Sequence, residues 1–175
     1  MRQRQPPKTK KSSSQPTLRG RALRLLGRRE FTRQGLEKRL HVHVADAANA
    51  DKPAELETLL DDLTERGWLS DARYADALVR KRTGQFARRS IAQELKQAGV
   101  NEEITAVALA QNSESDPDQE FAAALALCQR KFRRAPTDQK EKARQIRFLQ
   151  SRGYSLSLAL RVIKQSGAQN EDTGA

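Results

Sequence analysis

Cysteine occurs once in the 175 residues, at Cys128, and tryptophan once, at Trp68; aromatics in all make up 5%. A lone thiol closes no internal disulfide and leaves a structural zinc site to find most of its ligands elsewhere. No apolar run approaches the roughly 18 residues needed to cross a bilayer. The N-terminal stretch MRQRQPPKTKKSSSQPT has no hydrophobic segment of signal-peptide type, so a cytoplasmic protein is expected. Hydrophobic residues amount to 37% and the mean hydropathy is -0.82, which leaves little material for a thick core and points to a thin or extended fold. Motifs of catalysis are missing too: no GxxxxGK[ST] phosphate loop, no HExxH and no GxSxG. Neither an enzyme nor a cofactor is expected. His41 and His43 lie two apart without a nearby third ligand, so no metal site is expected there.

What the chain does have is positive charge. Lys and Arg number 33 against 22 Asp and Glu, a net +11, which favours a polyanionic partner: nucleic acid first, an acidic protein surface second. Residues 1–17 carry Arg2, Arg4, Lys8, Lys10 and Lys11 with no acid, and read as a disordered basic tail. Acids concentrate between Ala45 and Arg66, whereas Arg130 to Arg152 is dominated by Arg and Lys, so an acidic region and a basic one are expected at different places. The candidate binding residues are Arg80, Lys81, Arg82, Arg88 and Arg89 in the middle of the chain. Later in the chain they are Arg130, Lys131, Arg133, Arg134, Lys140, Lys142, Arg144 and Arg147. Arginine suits phosphate and carboxylate alike through its planar fork.

Apolar spacing is helical almost throughout. Leu18, Ala22, Leu25 and Leu26 share a face, and Thr32 is placed to cap a helix carrying Leu36 and Leu40. The stretch HVHVADAANADKP reads as a long loop over 41–53, and a helix follows with Leu56, Leu59, Leu60 and Leu63. Ser70 caps a helix with Ala75, Leu78 and Val79; the next carries Ile91 and Leu95; Asn101 caps a third. Asp116, with Pro117 and Gln119 behind it, opens a helix with Phe121, Leu125, Cys128 and Phe132, and Cys128 on that stripe is expected to be buried and inert. Thr137 and Ser155 are the expected caps of the last two helices, which carry Ile146 and Leu149, then Ala159, Val162 and Ile163.

These helices repeat. FTRQGLEKRL at 31–40 aligns with FARRSIAQEL at 86–95, a period of about 55 residues, and KEKARQIRFL at 140–149 follows at nearly the same interval. Units this small are not expected to stand alone, so neighbours should share burial. A glycine corner recurs as well, in RGWLSDARYA, QAGVNEEI and SRGYSLSL. In the first of these Gly67 ends one unit and Ser70 starts the next, which makes Trp68 an expected wedge between them.

The segments RREFTRQGLEKRL, LLDDLTERGWLSDARYADALVRKR, ARRSIAQELKQAGV and RQIRFLQSRGYSLSLALRVI together resemble the bacterial RecX regulatory proteins, over residues 18 to about 166. The resemblance implies an all-α, elongated and curved array of three tandem three-helix repeats at 18–69, 70–112 and 116–167, with disordered tails at 1–17 and 168–175. It further implies a monomer that binds RecA recombinase and lodges in the groove of its filament on DNA, touching DNA weakly and without sequence preference. Filament extension, ATP turnover and strand exchange would be inhibited, modulating recombination, DNA repair and the SOS response. The alternative is a direct DNA-binding protein, since short helices around a glycine turn also describe helix-turn-helix units.

Overall fold

The computed structural model describes residues 17–45, 52–112, 117–132 and 134–171. Among them are nine α-helices and no strand: α1 (Leu18–Leu26), α2 (Arg33–Ala45), α3 (Lys52–Glu65), α4 (Asp71–Arg82), α5 (Arg88–Gln97), α6 (Glu102–Asn112), α7 (Pro117–Lys131), α8 (Gln139–Ser151) and α9 (Leu156–Glu171). Most of the tail at 1–17, Asp116 and Arg133 lie outside the described residues.

Local chemistry explains most boundaries. The side chains of Thr17, Thr32, Ser70, Asn101 and Ser155 each accept a hydrogen bond from the backbone N–H three residues on, which satisfies a donor that the first helical turn leaves unpaired. Three helices end in one and the same way. The N–H groups of Gly67, Gly99 and Gly153 bond the carbonyls of Thr64, Lys96 and Gln150, and those of Trp68, Val100 and Tyr154 bond Leu63, Leu95 and Leu149. The three glycines have φ of 68°, 85° and 91°, a conformation costly for any residue with a Cβ.

Packing then sorts the helices in threes. All substantial helix pairings lie within α1–α3, α4–α6 or α7–α9. Each set has its own hydrophobic cluster: Leu36, Leu40, Leu56, Leu60 and Leu63 in the first, Val79, Ile91, Leu95 and Leu109 in the second, and Leu127, Leu149, Tyr154 and Val162 in the third. Burying a leucine stabilises by about 1.5–3 kcal/mol, whereas a neutral hydrogen bond contributes about 1 kcal/mol. The clusters therefore hold each unit together, and the polar contacts between units chiefly orient them.

Several expectations are corrected. Residues 41–45 are helical, so the segment 41–53 is not loop throughout; the His-Val alternation imitates a strand, but nothing after Leu40 interrupts the backbone hydrogen bonds. Helix α9 continues to Glu171, covering part of the segment 168–175 expected as tail. Asp138, not Thr137, caps α8: its carboxylate accepts the Glu141 N–H at 2.6 Å, while the Glu141 carboxylate reaches back to the N–H and hydroxyl of Thr137. Trp68 is no wedge. It is 44% exposed, with the Arg19 and Arg66 guanidinium groups 5.9 and 5.8 Å from its ring centre, and its neighbour Leu69 is the residue buried in the first cluster. Nor do neighbouring units share much burial: among the described residues Ala87, the N-cap of α5, is the one buried residue of the second unit in the third cluster.

The units meet instead head to tail. The N-terminus of α2 abuts the C-terminus of α5, where the Thr32 hydroxyl donates to the Ala98 carbonyl at 2.6 Å. The N-terminus of α5 abuts the C-terminus of α8 in turn, where the Ala87 N–H donates to the Arg152 carbonyl at 2.8 Å. Thr32 and Ala87 occupy matching places in the aligned segments, as do Gly99 and Gly153, so one joint is built twice.

Candidate polyanion-binding surface

The third unit carries the densest positive surface. Arg130 and Lys131 end α7, where cations are favoured by the helix dipole, and both are exposed. Along α8, Lys140, Arg144 and Arg147 recur at helical spacing and are exposed; Lys142 is half-buried. The acid of the first turn, Glu141, is occupied by the Thr137 contacts and does not neutralise this face. Arg144 lies 5.5 Å from the centre of the Phe132 ring, which meets Phe148 edge-on at 5.3 Å. Buried Gln145 donates to the Arg134 carbonyl at 3.2 Å and accepts from the Cys128 thiol at 3.6 Å, pinning the segment after α7 against the helix pair and leaving the Arg134 side chain exposed. Burial pushes the Cys128 thiol up, away from the thiolate form a nucleophile needs.

The middle set behaves differently. Arg80 and Lys81 are exposed at the end of α4. Arg82 is engaged inside the protein: it donates twice to Glu94, at 3.0 and 2.7 Å, and stands 5.0 Å from the Phe86 ring centre. The Glu94 hydrogen bond raises its pKa further. Arg88 donates to the Leu109 carbonyl at 3.1 Å, near the end of α6. Arg89 spans the joint, donating from Nε to the Gly153 carbonyl and from Nη2 to that of Tyr154. Two cations at a helix N-terminus oppose the dipole, but here both reach the carbonyl ends of other helices.

The acids of the first unit are similarly tied up. Arg33 meets Glu57 at 2.9 Å and Asp61 at 2.7 Å; Asp62 meets Arg66 at 2.6 Å and Arg19 at 3.0 Å. The Arg66 hydrogen bond holds the Asp62 carboxyl below the ordinary carboxylate range. Three acids of the expected acidic region, Glu57, Asp61 and Asp62, are thus paired with arginines in place. His43 faces Arg21 at 3.3 Å, and among the described residues no group of three His, Cys, Asp or Glu side chains is placed to hold a metal.

Between the first and second units runs an open groove of about 670 Å³ that the sequence did not announce. Lys38, Arg39 and Val42 of α2 line one side, Tyr74, Leu78 and Lys81 of α4 the other, and Thr32 and Ala98 lie at the joint below.

Helix-turn-helix reading of bases is poorly served by this arrangement. The first turn of α6 is acidic, with Glu102 and Glu103. That of α9, Leu156 onward, has no Arg or Lys, and the Gly153 corner before it is covered by Arg89 and Ser90 of the second unit. A recognition helix reads base edges from its N-terminal residues.

Residues 70–109 match the family model described as RecX, second three-helix domain, and residues 118–163 the one described as RecX, third three-helix domain. The chain is 34% identical to Regulatory protein RecX of Neisseria meningitidis over 160 residues, covering 91% of this chain and 97% of that one. It is 37% identical to Regulatory protein RecX of Leptothrix cholodnii over 157 residues, covering 90% and 94%. Of solved structures, RecX from Lactobacillus salivarius matches with a TM-score of 0.61 at 16% identity, over 86% of this chain and 95% of that one, a likeness of fold. Identity above one third along nearly the whole of these relatives places the chain in the RecX family of regulatory proteins.

Proposed function

We propose that this protein is a non-enzymatic, cytoplasmic regulator of recombination that binds RecA and RecA filaments on DNA as a monomer. In this proposal it inhibits filament extension, ATP turnover and strand exchange, and so modulates recombination, DNA repair and the SOS response. The observation that carries the proposal is the agreement with proteins named Regulatory protein RecX along 91% of the chain. Three units at 18–69, 70–112 and 116–167, joined head to tail, suit a molecule that lies along a filament and bridges successive subunits. Arg80 and Lys81, with Arg130, Lys131, Arg133, Arg134, Lys140, Lys142, Arg144 and Arg147, supply cations for subunit carboxylates and DNA phosphates. Arg82, Arg88 and Arg89 act through the joint and the second unit rather than by touching the partner. Subunit addition is blocked by occupation of the filament surface, and contact with DNA is weak and sequence-indifferent.

Cosedimentation with RecA filaments, with RecA alone and with DNA alone, at low and high salt, tests the proposal. The protein is expected to pellet with filaments and little with DNA alone. Combined Lys140→Glu, Arg144→Glu and Arg147→Glu substitutions are expected to weaken the filament interaction at least about tenfold, each lost phosphate or carboxylate contact adding to salt sensitivity. Tight, sequence-selective binding to naked DNA with no effect on RecA strand exchange would instead establish a direct DNA-binding protein.

A further inference from the structure

The groove between the first and second units has a composition that the basic surface of the third unit lacks. Lys38, Arg39 and Lys81 line it, and the two acids that reach it are already occupied, Glu94 by Arg82 at 2.7 Å and Glu30 by Arg73 at 3.2 Å. Among the described residues no carboxylate pairs with those three cations. Apolar side chains interleave with them. Val42 is 62% exposed in the extension of α2 beyond its core, and Leu78 and Tyr74 are half-buried across from it.

The periodicity matters as much as the charge. Gly35, Lys38, Arg39 and Val42 stand at i, i+3, i+4 and i+7 of α2, while Tyr74, Leu78 and Lys81 stand at i, i+4 and i+7 of α4. Two helices thus present cation-and-aliphatic stripes to the same open space, the arrangement that receives a third amphipathic helix. A nucleic-acid backbone would satisfy the cations but find no use for Val42 and Leu78. Base stacking needs an open ring face, whereas Phe31 is only 7% exposed and Tyr74 is half-buried.

We propose that this groove docks an acidic amphipathic helix of a partner protein, its carboxylates meeting Lys38, Arg39 and Lys81 and its leucine-like side chains covering Val42 and Leu78. The inference does not rest on the filament-binding proposal, which relies mainly on the third unit.

The test uses fluorescence anisotropy of the full chain with a labelled helical peptide of repeating Leu-Glu-Glu-Leu pattern. Comparison probes are the same peptide with serine for leucine and an unlabelled oligothymidylate as competitor. The leucine-bearing peptide is expected to bind, the serine version about tenfold more weakly, and oligothymidylate to leave the complex intact. Val42→Asp and Arg39→Glu, both at exposed positions outside the clusters, are each expected to weaken the peptide about tenfold while leaving the circular dichroism spectrum unchanged. Equal binding of the serine peptide would reduce the groove to unspecific charge attraction, and displacement by oligothymidylate would make it a nucleic-acid site. No binding, or binding that neither substitution alters, would overturn the proposal. Cosedimentation of the same two variants with RecA filaments keeps the two ideas apart, since loss of peptide binding with filament binding intact touches this groove alone.

Discussion

The two joints between units start from matching residues and are held by different chemistry. At the first, the Thr32 hydroxyl reaches the carbonyl of Ala98, the residue capping the C-terminus of α5, Asp71 accepts the Arg33 N–H at 2.8 Å, and Arg73 clasps the Gly67 and Trp68 carbonyls at 2.6 and 3.1 Å. At the second, Ala87 has no side chain to offer and its backbone N–H takes over the bond; Arg89 adds two more, and Arg152 stands 4.6 Å from the centre of the Phe86 ring. The first joint is polar and flanked by an open groove. The second is backbone-close and braced by arginine against aromatics. One joint, built twice, thus leaves an open groove beside it in the first case and fixes the densely basic third unit to the array in the second.

The glycines at the corners test this contrast most severely. A Cβ at Gly153 would lie 2.6 Å from the Ser90 Cβ, which moves only with α5, and φ there is positive. Gly153→Ala is expected to cost about 2–4 kcal/mol, from backbone strain plus forced separation of the units. Gly99→Ala carries the same strain and meets Gln34, whose Oε1 and Cδ can swing away but whose Cβ, at 2.9 Å, moves only with α2, so about 1–3 kcal/mol is expected. Gly67→Ala, with open space around it, should cost only about 1 kcal/mol. Urea unfolding of the three variants gives the order; equal losses would mean that the joints contribute nothing beyond the corner itself.

Smaller effects separate the two joints from each other. Thr32→Val removes both the cap on Gly35 and the bond to Ala98 from a residue only 2% exposed, and about 1–2 kcal/mol is expected. Arg89→Ala should cost about 1 kcal/mol or less because the side chain is partly solvated, yet it should widen the distribution of radii in small-angle scattering, which Thr32→Val should not. Smallest is the Asp62 contribution. Its folded pKa is lowered, so the stability it supplies is present above the ordinary carboxylate value of about 4 and is lost as pH falls through the lowered folded value. Asp62→Asn should flatten that part of an acid denaturation curve by removing the small contribution present at neutral pH, and should change stability least below the lowered folded value.

What could be read in advance follows the range of the forces involved. Ser70, Asn101 and Ser155 are legible as caps because an N-cap bond spans three residues. At α8 the same rule pointed to Thr137, since two capping residues stand side by side and the reach of Glu141 decides between them. The binding candidates split for the opposite reason. Arg82, Arg88 and Arg89 look like free cations in the chain, but their partners lie 12, 21 and 64 residues away. Lys38, Arg39 and Val42 look like an ordinary solvated face until α4 is laid beside them.

The sequence by itself determined the helices, their grouping by repeat and the excess of positive charge, because helical periodicity, caps and composition act over a few residues or need no geometry. Only the tertiary structure decided which cations remain free, where a groove opens and how one unit seats on the next. Those outcomes depend on contacts between helix ends far apart in the chain, where a single Cβ, as at Gly99 or Gly153, determines how closely two units approach.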